Sequence, residues 1–276
     1  MRQVVATAMG LGRAAHPLPA LVVTGIAAGL AVGVGWSTGA VLVITAAVLA
    51  GQLSVGWLND LVDAGRDAAV GRRDKPVVSG RVSVPVVRTS FVVAAPGAVV
   101  LCLPVGLPAA GAHLAALASA WAYDLGLKST PLSVLPYAVS FGILPAVVTL
   151  GLPGAPLPPV WLIAAAACLG CAAHFVNVLP DLHDDAVTGV RGLPHRLGPD
   201  LCRLVSAVLV LAASALLVFG PDGAPTPVGT AALPVSLALV GAGVLGGPRS
   251  GFRAVLLVAA LDVVLLLVTG VPVHAP

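Results

Sequence analysis

The sequence predicts an all-α integral membrane protein, a single domain over residues 1–276 whose nine transmembrane helices form a bundle. Three observations predict it. Of the 276 residues 58% are hydrophobic and 9% charged, with a mean hydropathy of +1.05, too little charge to solvate a globule of this length. Nine apolar segments of bilayer-spanning length follow one another between breaks marked by Pro, Gly and charge. Threaded in order, those segments leave all 14 Lys and Arg residues on one side.

The segments fall near 18–36, 39–59, 84–103, 107–124, 132–151, 159–180, 202–219, 228–246 and 253–271. The 32 Gly and 24 Pro are compatible with lipid, because small residues let helices approach and freed backbone groups find partners within the bundle. Arg2 and Arg13 precede the first segment, and Arg66, Arg72, Arg73, Lys75, Arg81 and Arg88 lie in or beside the loop after the second. Lys128 follows the fourth, Arg191, Arg196 and Arg203 the sixth, and Arg249 and Arg253 the eighth. Short cytoplasmic loops carry the Lys/Arg excess. The N-terminus is therefore expected in the cytoplasm, the C-terminus outside, and the chain in the cell inner (plasma) membrane. The first 15 residues lack an apolar core followed by a cleavage site, so no removable signal peptide is expected. Cys102, Cys168, Cys171 and Cys202 form no disulfide framework and read as small packing residues. Trp36 and Trp161, near segment ends, are expected as interfacial anchors; Trp57 and Trp121, near the basic loops, are candidates for contact with a cation through their π faces.

The chemistry is expected where the carboxylates gather. All 11 acidic residues are Asp. On a helix of about 3.6 residues per turn, Asn59, Asp63 and Asp67 share a face with Asp60 beside them, and only Arg66 lies within the cluster to neutralise it. Asn177, Asp181 and Asp185 repeat at i, i+4, i+8 after the sixth segment, with Asp184 off that face. Both clusters are expected at the cytoplasmic mouth, facing each other across the bundle. Carboxylates gathered at low dielectric are relieved by protonation or by a cation. Oxygen ligands with no His or Cys in register point to Mg²⁺ rather than zinc, and Mg²⁺ shares its coordination with phosphate. Arg72, Lys75, Lys128 and Arg191 are the phosphate partners in the neighbouring loops. Acidic and basic groups in one mouth above an apolar bundle suit an amphiphile with a diphosphate head and a hydrocarbon tail, as a prenyl diphosphate is. Cation transport is disfavoured, because carboxylates for that role belong near mid-membrane. His174, close to the face of Asn177, is a candidate for the cavity wall, whereas His183 and His195 read as loop residues. Asp262, a lone carboxylate in the ninth segment, reads either as a proton site or as a hydrogen-bond partner of a neighbouring helix.

Two runs resemble the signatures of a known family. Asn59-Asp60-x-x-Asp63-x-x-x-Asp67, followed by Arg72-x-x-Lys75-Pro76 and Ser79-Gly80, resembles the first signature of the UbiA-type intramembrane prenyltransferases. Asn177-x-x-x-Asp181-x-x-x-Asp185-x-x-x-Gly189-x-Arg191-Gly192-Leu193-Pro194 resembles their second, and Tyr123 with Lys128 their Tyr/Lys element. Lys75 stands where Arg is usual, Gly189 where some members place a third Asp, and Tyr123 and Lys128 are five apart rather than four. The resemblance implies a central cavity under a cytoplasmic cap formed by the loops after the second and sixth helices. It implies Asn59, Asp60, Asp63, Asp67, Asn177, Asp181 and Asp185 as Mg²⁺ ligands, and Arg72, Lys75, Lys128 and Arg191 as diphosphate-binding residues. Asp63, Asp181, Lys128 and Tyr123 would carry catalysis. The implied reaction ionises a prenyl diphosphate donor and passes the prenyl group to a hydrophobic, aromatic or quinone-like acceptor. The alternative is a membrane terpene cyclase, in which the donor's own double bonds trap the cation. The expected surroundings are the lipid bilayer, with no nucleic acid and no obligate protein partner.

Overall fold

The structure, a computed structural model, describes residues 2–246 and 248–269. Its helices are α1 (Arg2–Ala14), α2 (Pro17–Gly33), α3 (Thr38–Ala69), α4 (Val84–Cys102), α5 (Leu107–Leu125), α6 (Leu135–Thr149), α7 (Val160–Val178), α8 (Leu182–Val187), α9 (Leu193–Leu197), α10 (Pro199–Phe219), α11 (Pro227–Leu245) and α12 (Pro248–Thr269). Several begin with Pro in the first turn, where the missing N–H is not needed. Ser37 and Thr226 cap α3 and α11 through their side-chain oxygens.

Each of the nine apolar segments holds one of the longer helices. Among the described residues six are long and apolar enough to cross a membrane, or seven when α1 and α2, bent by 68° at their junction, count as one broken span. Helix α6, with 15 residues, is shorter than the segment 132–151, because turns occupy residues 130–134 before it and 150–154 after it. Residues 270–271 of the ninth segment and the C-terminus lie outside the described residues. The bundle's outer face carries apolar side chains such as Val93, Leu107 and Val160, which suits lipid rather than water. Helices of this length and composition, with apolar side chains facing outward, suit a chain that crosses a membrane several times.

Two local features position the site. Helix α3 runs unbroken for 32 residues, so the first carboxylate motif rides on its last three turns. Helix α7 stops at Val178, and a tight turn over Leu179–Asp181 containing Pro180 separates it from α8. Asn177, Asp181 and Asp185 therefore do not share one continuous helical face; the proline interrupts the register that the spacing suggests. Close packing sets the opposite wall. A Cβ at Gly170 of α7 would come 2.6 Å from Phe141 Cγ and 2.8 Å from the Tyr137 carbonyl, so glycine there lets α6 press its aromatic side chains against α7.

Four side chains depart from or narrow their expected roles. Trp36 donates to the Val148 carbonyl at 3.1 Å, which ties it into the bundle instead of leaving it a simple interfacial anchor. Trp57 donates to the Leu11 carbonyl and Trp121 to Ser54 Oγ, and neither lines the cavity, so their rings do not face the site. Asp262 accepts from Ser214 Oγ of α10 at 3.1 and 3.3 Å, and Ser214 lies 3.3 Å from Ser236 of α11, so the buried carboxyl joins three helices.

Candidate active site

A cavity of about 570 Å³ lies between α2, α3, α5, α6, α7 and α12. Its wall is mostly Ala, Val, Leu and aromatic; on α12 the lining stripe from Phe252 to Leu266 runs about 20 Å along the helix. Charged side chains crowd one part of the wall: Asp63, Asp67, Arg72, Lys75, Lys128, Asp181 and Asp185 all line it, with Asn59 and Asn177.

The two oxygen-rich motifs meet there. Arg72 Nη1 lies 3.1 Å from Asp181 Oδ1, joining the loop after α3 to the turn after α7. The same guanidinium reaches Asp74 at 3.2 Å. Burial opposes its charge, but the hydrogen bonds and charges of Asp74 and Asp181 outweigh that and raise Arg72 above the ordinary arginine value. Asp74, hydrogen-bonded to Arg72, is held below the usual carboxylate range.

Lys128 carries the second link. Gly126, at φ 155°, turns the chain out of α5, and the short turn Leu127–Ser129 sends the lysine back inward, where it is only 7% exposed. Its Nζ stands 2.6 and 2.7 Å from the two oxygens of Asp63, which also pairs with Arg66. Asn59 Nδ2 donates to Asp63 Oδ2 at 3.2 Å and to Asp124 Oδ1 at 3.1 Å. Lys75 Nζ donates to Asp60 Oδ1 at 3.0 Å and to His16 Nε2 at 3.4 Å, and lies 3.9 Å from Asp67.

These contacts correct one expectation. The first cluster is neutralised by more than Arg66, because Lys75 and Lys128 fold back onto it from loops that sequence distance hides. Among the described residues no three carboxylate or His side chains stand together as a metal-ready group. The donor chemistry nevertheless fits Mg²⁺. The ligand candidates that line the cavity, Asn59, Asp63, Asp67, Asn177, Asp181 and Asp185, all offer oxygen. Asp60 itself, 1% exposed, lies behind Lys75 and off the cavity wall. Arg191 is exposed and does not line the cavity.

Tyr123 lies edge-on to Tyr137 at 5.1 Å and to His174 at 5.6 Å, and all three line the cavity. Three participants escaped the sequence reading. Asp124, beside Tyr123 at the end of an apolar segment, offered the one available signal, a carboxylate where lipid-facing residues belong. His16 and Tyr137 offered none, since tertiary contact alone brings them in. His195, read as a loop residue, lines the cavity 3.7 Å from Asp185, and burial lowers it below the ordinary histidine value.

An apolar cavity with acidic and basic side chains gathered on one part of its wall, enclosed by apolar helices, marks the chain as a multi-pass membrane protein. The chain belongs to the UbiA prenyltransferase family, whose model matches residues 19–251. Among solved structures it resembles the apo form of a UbiA homolog from Aeropyrum pernix K1, with 18% identity, 91% of this chain and 97% of that one covered, and a TM-score of 0.74. It also resembles a UbiA homolog from Archaeoglobus fulgidus bound to DMAPP and Mg²⁺, with 16% identity, 94% and 99% covered, and a TM-score of 0.70. A third is a structure of digeranylgeranylglyceryl phosphate synthase, with 14% identity, 98% and 99% covered, and a TM-score of 0.67. At these identities the likeness establishes the fold. No curated protein matches the chain in sequence.

Proposed function

We propose that this chain is a Mg²⁺-dependent intramembrane prenyltransferase that ionises a prenyl diphosphate and transfers the prenyl group to an aromatic or quinone-like acceptor. The observation that carries the reading is the Arg72–Asp181 contact, which supports a single mouth shared by both Asp motifs. Family membership and the relative bound to DMAPP and Mg²⁺ support the donor and the metal. The nine longer helices would each cross the inner membrane, with the N-terminus, the loops capping the site and the site itself on the cytoplasmic side.

Asn59, Asp63, Asp67, Asn177, Asp181 and Asp185 would hold the metal, with Asp60 reached once Lys75 turns away. Bound there, Mg²⁺ supplies charge neutralisation for the departing diphosphate. Lys128, Lys75 and Arg72 then exchange their carboxylate partners for diphosphate oxygens. The C–O bond breaks with its electron pair staying on diphosphate, and the acceptor's electron pair forms the new C–C or C–O bond as its proton departs. The apolar wall, which includes Tyr123 and Tyr137, would exclude water from the allylic cation. Arg191 would assist only by moving inward.

The test incubates purified protein and Mg²⁺ with prenyl diphosphates of graded length, with and without aromatic acceptors. Prenylated acceptor supports the transferase; a cyclic hydrocarbon formed without acceptor identifies a terpene cyclase instead. Full turnover in EDTA contradicts both.

A further inference from the structure

We propose that His16 is a positioning residue, whose neutral ring holds the Lys75 ammonium at the cavity wall where a diphosphate would meet it; this rests on the transferase reading above. His16 precedes Pro17 at the 68° bend between α1 and α2. Its backbone is left-handed, with φ 51° and ψ 66°, and it is one of two non-glycine residues with positive φ among the described residues. A residue before proline ordinarily takes extended backbone, so the surrounding structure holds this corner against local preference.

Neither the turn nor the helix accounts for a histidine there. Glycine takes a positive φ without strain, and Ser, Asp or Asn at this position would cap α2. The His16 side chain makes no cap hydrogen bond. It crosses instead to a residue 59 positions later, where its Nε2 lies 3.4 Å from Lys75 Nζ. Close packing fixes the corner from both sides. A Cβ at Gly56 of α3 would come 2.6 Å from the Ala15 carbonyl, and one at Gly10 of α1 would come 3.0 Å from the Arg81 carbonyl oxygen. The two glycines thus let α3 and the loop that carries Lys75 close on the α1–α2 corner. His16 and Lys75 both line the cavity, and the histidine side chain is 44% exposed.

Lys75 Nζ has three N–H donors and three neighbours: Asp60 Oδ1 at 3.0 Å, His16 Nε2 at 3.4 Å and Asp67 Oδ2 at 3.9 Å. An ammonium has no lone pair to offer, so Nε2 is the acceptor, the ring is uncharged and its hydrogen sits on Nδ1. The three neighbours differ in what loading the site does to them. Asp60 and Asp67 are candidates for the divalent ion, and on turning to it they release Lys75, a point charge on a flexible four-carbon stem. His16, fixed by the corner, keeps its hold. Having no negative charge, it leaves the whole charge of the ammonium for the diphosphate.

The test titrates geranyl S-thiolodiphosphate, a donor analogue that resists ionisation, into the protein with Mg²⁺ in nanodiscs. His16→Gly removes the ring and relieves the backbone. It should weaken the analogue about tenfold, the scale of one hydrogen bond to a charged group, while the protein unfolds at the same or a higher temperature. A purely structural histidine would lower affinity and unfolding temperature together. His16→Gln, whose side-chain oxygen reaches near the Nε2 position, should recover part of the affinity. In a Lys75→Met background His16→Gly should cost nothing more, because the group it positions is gone. Equal affinity in wild type and His16→Gly, or the same loss with and without Lys75, would overturn the proposal. If His16→Gly does not fold, His16→Asn, which tolerates left-handed backbone and is too short to reach Lys75, takes its place. An analogue that does not bind, or that binds Lys75→Met as it binds wild type, would contradict the diphosphate reading itself and the proposal with it.

Discussion

Arg72 Nη1 and Asp181 Oδ1, 109 positions apart in the chain, lie 3.1 Å from each other. The contact places the basic loop behind α3 against the turn behind α7, so the two Asp motifs open onto one volume. Arg72 is also held by Asp74, which lets the loop present its guanidinium before any ligand arrives. Replacing it should affect donor binding more than the chemical step. Arg72→Ala is expected to raise KM for prenyl diphosphate by about tenfold or more, the scale of a charge-assisted hydrogen bond, and Arg72→Lys by less. Steady-state kinetics over a donor titration checks this.

Lys128 is buried against Asp63 and, among the described residues, forms no ion pair with another carboxylate. Lys128→Met keeps the bulk of the stem and removes the charge that would meet the leaving diphosphate. The expected result is a fall of about a hundredfold in diphosphate release at saturating donor and Mg²⁺, comparable to removing one preorganised electrostatic donor. A loss confined to KM would move Lys128 from leaving-group stabilisation to binding alone.

Much of this was legible in the sequence, and the misreadings share a cause. Asn59, Asp63 and Asp67 could be placed on one face because α3 continues through them without interruption. For Asn177, Asp181 and Asp185 the same spacing again gathers the three side chains on the cavity wall, although a tight turn containing Pro180 lies between the first and second of them. Local spacing gave no view of partners distant in sequence. Lys128 reaches Asp63 and Asn59 reaches Asp124 across 65 positions, so a cluster that looked uncompensated is already paired. The apolar segments were readable because lipid imposes length and composition on each one separately. The places of His16 and Tyr137 were not, since nothing in their immediate sequence marks them.

Gly192 packs directly on the Lys128 carbonyl and near Ser133 Oγ. Adding a methyl group there forces backbone apart on the side that presents Lys128. Gly192→Ala should reduce diphosphate release by about tenfold or more while the protein stays folded, because a displacement of about 1 Å in a positioned group is costly to rate. Monodispersity in detergent, measured beside activity, separates this from unfolding.

Asp262 is held by Ser214, with Ser236 behind it. Ser214→Ala leaves the carboxyl buried without that donor and is expected to destabilise by about 1–3 kcal/mol. Asp262→Leu removes the need for the donor and leaves the two serines to pair with each other, so its cost should be smaller. Thermal unfolding of both variants in the same detergent gives the order; the reverse order would mean that the carboxyl has a partner of greater weight than Ser214.

On the proposed function, both Asp motifs would serve one divalent ion site and one diphosphate. The most direct measurement is Mg²⁺-dependent diphosphate release in a cycle of Asp63→Ala, Asp181→Ala and the double variant. Each single substitution should remove nearly all metal-dependent release, and the double should be no worse than either alone. Wild-type turnover that survives EDTA, or single losses that are small and simply multiply in the double variant, would contradict a shared site.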